Sequence, residues 1–207
     1  MIVFRQCWRR FAPSPIDNPL KRRLFVSLSA LTSELAVRAA IFAEAYYRGK
    51  NRKTGEPYFF HPYRVALRVA EFIDGQEMVA AAFLHDVMEF GCDYDDIEEE
   101  FGSYVAQAVS LLTQDCRLPH KESMEEYRKR LKEAPPGVKL IKCADIEDNA
   151  KSRASPEFMK RWFEKSLATL EAVEQGDLGV LREPIEQLAR YIRLIHEGWK
   201  KQSPSAT

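Results

Sequence analysis

The chain has 207 residues, enough for one domain with some decoration or two small ones. Lys plus Arg and Asp plus Glu both number 31, so no charge excess calls for nucleic acid or an anionic membrane as a partner. No run of about 18 apolar residues is present, so no membrane span is expected. The 45% hydrophobic and 30% charged content fits a soluble protein with a full core.

Residues 1–25, opening MIVFRQCWRRFAPSPIDNP, are Arg-rich and hold three prolines, without the apolar stretch of a secretory leader. They read as a loosely ordered basic extension. From there the chain reads as helix after helix. Leu35, Ala39, Phe42, Ala43 and Tyr46 recur at helical spacing up to Gly49. The polar loop GKNRKTGEPY follows. Pro62 suits the first turn of a helix carrying Val65, Val69 and Phe72, with Gly75 at its end. An apolar helix is expected over 77–90. Asp93 is placed to cap a short acidic helix with Ile97 and Phe101 on one face, and Ser103 another with Val105, Val109 and Leu112. Further helices are expected over 122–133, 138–152, 156–174 and 180–200. No alternating strand pattern and no repeat is found. The expectation is one all-α domain over residues 26–200, a helical bundle, with a short tail over 201–207.

Four cysteines (Cys7, Cys92, Cys116, Cys143) are scattered without a C-x-x-C pair, which points to reduced thiols in a cytoplasmic protein rather than a zinc site. The acidic run DYDDIEEE lacks the spacing of a calcium loop and reads as a solvated helix face. His120 and His196 have no metal-spaced neighbours and read as surface residues, and Trp162, Phe163 and Leu167 as core. Neither a phosphate-binding P-loop nor a dinucleotide fingerprint occurs.

The chemistry concentrates elsewhere. MVAAAFLHDVMEF buries His85, Asp86 and Glu89 in an otherwise apolar run. A buried charge must be paired, hydrogen-bonded or bound to metal. RKTGEPYFFHP puts His61 at a helix start after a basic loop, and IKCADIEDN is apolar until Asp145. Two imidazoles and two carboxylates from separate helices make a mixed nitrogen–oxygen set suited to Mn²⁺, Fe²⁺, Zn²⁺ or Mg²⁺.

Together with IEEEFGSYVAQAV and EEYRKRL, these stretches resemble in order and spacing the HD-domain metal-dependent phosphohydrolases of the RelA/SpoT type, which remove pyrophosphate from alarmones. The resemblance spans roughly residues 32–175. No length remains for a synthetase domain, so a small stand-alone hydrolase is expected. The resemblance implies one Mn²⁺ on His61, His85, Asp86 and Asp145, with Glu89 as the carboxylate near the attacking water. It implies that Arg52 and Lys53 face the nucleotide, that Asn149 lies near the ribose, and that Ser152 stands where the family has Thr. The chain departs from the pattern at three places. Phe90 replaces a second acidic residue after Glu89, Ile146 replaces an Arg and Asp148 replaces a His. Phe90 is therefore expected to flank the water site, dry the pocket and shape substrate choice. The leading expectation is hydrolysis of a 3′-pyrophosphate from (p)ppGpp or (p)ppApp. The alternatives are another nucleotide, such as the 2′-phosphate of NADPH or a nucleoside monophosphate, and a metal-binding regulatory module with little turnover.

Overall fold

A computed structural model describes residues 29–115, 117–151 and 155–202. The N-terminal extension, Cys7, Cys116, Ser152 and residues 203–207 lie outside the described residues. Helices α1 (Glu34–Tyr47), α2 (Phe60–Ala70) and α3 (Gln76–Leu84) lead into a 3₁₀ turn, Val87–Phe90. Then follow α4 (Tyr94–Phe101), α5 (Ser103–Leu112), α6 (His120–Glu133), α7 (Pro136–Ala150), α8 (Pro156–Gln175) and α9 (Arg182–Gln202). Among the described residues no strand is formed, and no helix is long and apolar enough to cross a membrane.

α3 is the centre of the bundle. Every residue from Met78 to Leu84 is buried, so it needs neighbours on all sides. α1, α2 and α5 supply them. α7 packs between α2 and α9, and α8 lies on α6. Ser33 caps α1, its Oγ accepting from Ala36 N at 3.2 Å, and Ser155 caps α8 in the same way. Pro136 and Pro156 stand in the first turns of α7 and α8, where a missing N–H costs nothing.

Several expected details differ. The 77–90 segment is not one helix: α3 ends at Leu84, and a 3₁₀ turn carries Val87–Phe90. Gly91 stops that turn at φ 93°, a left-handed conformation that favours glycine. α2 ends at Ala70, before Gly75. Asp93 precedes α4 but forms no side-chain cap bond, and Ser103 lies inside α5 behind Gly102. α9 continues through Gln202, two residues into the stretch read as tail.

Candidate active site

The site forms where three chain ends meet: the start of α2, the end of α3 and the last turns of α7. The loop before α2 closes on itself, Arg52 N donating to Glu56 O and Tyr58 N to Lys50 O, both at 2.9 Å. This delivers Tyr58, and then His61, to the core. The end of α3 matters equally. On a continued helix His85 and Asp86 would diverge by about 100°. Because the helix stops here, they converge, with His85 Nε2 3.3 Å from Asp86 Oδ2.

Ligand-type atoms of His61, His85 and Asp86 all lie within 4.8 Å of one another. Asp145, from α7, brings Oδ1 to 3.1 Å from His61 Nε2 and 3.9 Å from His85 Nε2. Partners outside the cluster fix each member. His85 Nδ1 is 2.8 Å from Ala82 O and donates to it, which leaves Nε2 as the lone-pair nitrogen. His61 Nδ1 is 2.8 Å from Asp148 Oδ2, with the same consequence. Tyr58 Oη donates to Asp86 Oδ2 at 2.7 Å. Asp145 accepts from Lys142 Nζ at 2.8 Å and from Asn149 Nδ2 at 2.6 Å.

These residues fit a divalent cation. His85 Nε2 is buried and has no hydrogen-bond partner, although carboxylate oxygens surround it. His61 Nε2 and Asp145 Oδ1 face each other as two acceptors unless a proton or an ion lies between them. The electrostatics make the same demand. Burial opposes charge on His85, but the Asp86 and Asp145 carboxylates outweigh it and raise its pKa to about 9. Burial would push Asp86 up, yet the imidazoles hold it at about 2. Burial likewise opposes charge on Asp145, which Lys142 and the imidazoles hold well below the usual carboxylate range. The pocket draws positive charge to one point.

The cluster opens into a cavity of about 280 Å³ lined by residues of α6, α7 and α8 as well as by Tyr58 and Glu89. Much of Glu89 faces solvent, but its carboxyl borders the cleft, where burial and then the Asp86 carboxylate push its pKa up to about 7. Asn149 lines the cleft as well, its Oδ1 accepting from Arg52 at 2.6 Å. Ile146 contributes an apolar side chain to the cleft wall.

Several readings change here. Phe90 does not line the cleft. Its ring packs on Tyr58, centroids 4.6 Å apart, and on Tyr47 at 5.2 Å, so it backs the phenol that bonds Asp86. Asp148 stands behind His61, not beside the reacting groups. It accepts from Arg64 Nε at 2.5 Å and from Arg52 at 3.2 Å as well as from His61. Trp162 is not simply core, because it lines the cleft, while Phe163 is buried. His120 is exposed, as expected, and also borders the cleft, whereas His196 packs against Phe163 and Trp199 rather than on open surface.

Arg52 is engaged with Asp148 and Asn149 and reaches a nucleotide only by giving up those bonds. Lys53 sits over the Phe158 ring, 3.8 Å from its centroid. The sequence reading missed Tyr58 and Lys142. Both had a signal: Tyr58 lies inside the quoted loop motif, and Lys142 precedes Asp145 by three residues on one helix face.

Residues 39–159 match the HD-domain family. A guanosine-3′,5′-bis(diphosphate) 3′-pyrophosphohydrolase of Aquifex aeolicus is 40% identical over 119 residues, covering 56% of this chain and 17% of the relative. The bifunctional (p)ppGpp synthase/hydrolase SpoT of Escherichia coli is 33% identical over 125 residues, 57% of this chain and 18% of the relative. The chain thus spans less than a fifth of these bacterial relatives. The human guanosine-3′,5′-bis(diphosphate) 3′-pyrophosphohydrolase MESH1 is 32% identical over 167 residues, 73% of this chain and 91% of the relative. The solved structure of a metazoan SpoT ortholog described as hydrolysing ppGpp superposes with a TM-score of 0.64 at 23% identity. The match covers 77% of this chain and 96% of that one, a likeness of fold.

Proposed function

Since the chain belongs to the HD-domain family, we propose that it is a metal-dependent 3′-pyrophosphohydrolase of purine alarmones, (p)ppGpp or (p)ppApp. The observation that carries this reading is the shared cleft: His61, Asp86 and Asp145, which surround the orphaned His85 Nε2, line the same cavity as Glu89. The relatives, named as guanosine-3′,5′-bis(diphosphate) 3′-pyrophosphohydrolases, suggest the substrate class.

His61, His85, Asp86 and Asp145 would hold one divalent ion, with Mn²⁺ the proposed occupant of this mixed donor set. When bound, the ion supplies Lewis-acid polarisation of a phosphoryl oxygen and a lowered pKa for water. The remaining work falls to side chains. Glu89 orients the attacking water and takes its proton, a role that a pKa of about 7 suits. The water oxygen bonds to the phosphorus nearest the ribose, and the bond from that phosphorus to the 3′ oxygen breaks. Pyrophosphate leaves, and the 3′ oxygen ends protonated. Tyr58, Lys142 and Asn149 hold Asp86 and Asp145 in place, so that little reorganises during the reaction.

Asn149 also borders the cleft and is proposed near the ribose. Arg52, Lys53 and Ser152 remain proposed nucleotide contacts on the family resemblance alone. The cytoplasm is the proposed compartment, consistent with Cys92 and Cys143 being free and buried.

The test is direct. The Mn²⁺-loaded protein is incubated with ppGpp, ppApp, NADPH and nucleoside monophosphates, and products are identified by mass. Release of pyrophosphate from an alarmone supports the reading. Release of inorganic phosphate from NADPH or a monophosphate replaces it with another phosphatase activity. No turnover with any of them, on a metal-loaded chain, leaves a binding module.

A further inference from the structure

α8 turns one face into the cleft. Trp162, Lys165, Ser166 and Thr169 all line it, at the three- and four-residue spacing that puts side chains on one side of a helix. His120, the first residue of α6, meets this face, and Lys165 Nζ lies 2.8 Å from its Nε2. In the tautomer that accepts from the ammonium, His120 Nδ1–H and two hydrogens of Lys165 remain for a ligand.

What sets this pair apart is the lack of a counter-charge. Around the same site Lys142 is paired with Asp145, Arg52 with Asp148, and Arg64 with both Glu56 and Asp148. Among the described residues, no carboxylate lies within ion-pair distance of Lys165 or His120. Two basic donors held together in a cleft without an acid partner make a site for an anion.

We propose that Lys165 and His120 bind the 5′-phosphates of the nucleotide substrate, a reading that rests on the 3′-pyrophosphohydrolase activity proposed above. A nucleoside 3′,5′-bis(diphosphate) has two highly charged ends. The 3′ end goes to the ion and its ligands, where Asp86, Asp145 and Glu89 would repel a second diphosphate. The 5′ end needs donors of its own, and among the described residues Lys165 and His120 are basic donors of the cleft outside ion-pair reach of any carboxylate. Trp162, one turn before Lys165 on the same face, gives the nucleoside an aromatic wall beside them. The pair thereby sets specificity for nucleotides phosphorylated at both positions.

The experiment measures calorimetric binding of two products to the Mn²⁺-loaded protein. Guanosine 5′-diphosphate carries the 5′ group, whereas inorganic pyrophosphate represents the 3′ group. Lys165→Ala and His120→Ala are each expected to weaken guanosine 5′-diphosphate by about tenfold or more, the loss of one charge-assisted hydrogen bond. Pyrophosphate should stay within about twofold of wild type, less than the tenfold that one such bond is worth. Lys165→Arg should restore most of the loss. Lys129→Ala, an equal charge change on exposed surface of α6, should alter neither ligand. In turnover, KM for the bis(diphosphate) should rise about tenfold in Lys165→Ala with kcat held, since uniform binding has been removed. Unchanged guanosine 5′-diphosphate binding overturns the proposal. So does pyrophosphate weakened in the same proportion, which would move the pair to the reacting phosphate. If the binding losses appear as expected while wild type leaves 3′-pyrophosphates intact, the activity fails and the 5′-phosphate site stands.

Discussion

Asp148 and His61 share a 2.8 Å hydrogen bond on the side of the imidazole away from Asp145 and Asp86. A carboxylate behind a ligating histidine fixes its tautomer and makes its other nitrogen a better donor. Arg64 and Arg52 hold the carboxylate in turn, so Asp148 has no capacity left to take a proton from water. Where the resemblance implies a His, Asp148 is thus placed to support the proposed ion rather than the reaction. Asp148→Asn is expected to lower metal affinity about 10–100-fold. Turnover should recover at saturating Mn²⁺. Competition titration with a chelator measures the first and kinetics at rising Mn²⁺ the second. A kcat that stays depressed at saturation would return Asp148 to the reaction itself.

Arg52 reaches both Asp148 and Asn149, and Asn149 bonds Asp145. The basic loop is thereby wired to the proposed metal ligands. Arg52→Ala should weaken Mn²⁺ binding several-fold, on the order of one charge-assisted hydrogen bond, in addition to any effect on nucleotide. Unaltered metal affinity with a raised KM would leave Arg52 as a nucleotide contact only.

Removal of the ion should make stability pH-dependent. His85 titrates at about 9 in the folded chain without metal, above its ordinary value near 6.5. A raised basic group contributes stability that is complete below the unfolded pKa and is lost as pH climbs through the folded one. Asp86, at about 2, changes its contribution only in acid. The metal-free protein should therefore lose melting temperature between roughly pH 6.5 and 9, by several °C, whereas an ion in place of the protons protects the loaded form. Scanning calorimetry of chelator-treated and Mn²⁺-loaded samples gives the comparison, and a constant gap across that range would contradict it. His85→Ala and Asp145→Ala should each abolish stoichiometric metal binding by elemental analysis.

Glu89 carries the proton in the proposed reaction. Glu89→Gln keeps the shape and removes the base, so turnover should fall by at least about a hundredfold, the low end for a positioned proton-transfer group. Metal content should stay at wild-type level, because Glu89 is not one of the four proposed ligands. Near-wild-type turnover would mean that the water is activated without a side-chain base.

The proposed ligands His85, Asp86 and Asp145 stand out in the sequence because each is an ionisable residue inside an apolar run, where burial demands a partner. His85 and Asp86 in MVAAAFLHDV, and Asp145 in IKCADIEDN, announce themselves in this way. The helical character was legible from the spacing of apolar residues for the same reason, since packing imposes that spacing. Directions around the site were not. The sequence reading continued α3 through Phe90, and the 3₁₀ turn after Leu84 rotates every later side chain. Nor does a single helix pattern show what lies across a cleft: Trp162 reads as core until α8 is docked against α6.

Phe90 shows what that rotation changes. On a continuous helix it would flank Glu89 and border the water site. In the structure it packs edge-on against Tyr58 and Tyr47, and Tyr58 Oη is the donor that holds Asp86 Oδ2. Each such aromatic contact is worth about 0.5–1.5 kcal/mol beyond the area it buries. Phe90→Asp therefore does not supply a second carboxylate to the cleft. It places a charge against two rings and loses both contacts, so a destabilisation of about 2–4 kcal/mol is expected by unpaired-charge burial and lost packing. The selectivity among ppGpp, ppApp and NADPH should not change. Phe90→Leu, which keeps an apolar body, should cost less, about 1–2 kcal/mol for the lost ring contacts. Tyr58→Phe keeps the ring stack and removes only the bond to Asp86. It should leave stability nearly unchanged while lowering metal affinity, about tenfold for a hydrogen bond to a ligating carboxylate. Denaturant melts separate the first two variants from wild type, and metal titration separates the third. A Phe90→Asp protein as stable as wild type, with a new preference among the three nucleotides, would put the ring back at the water site.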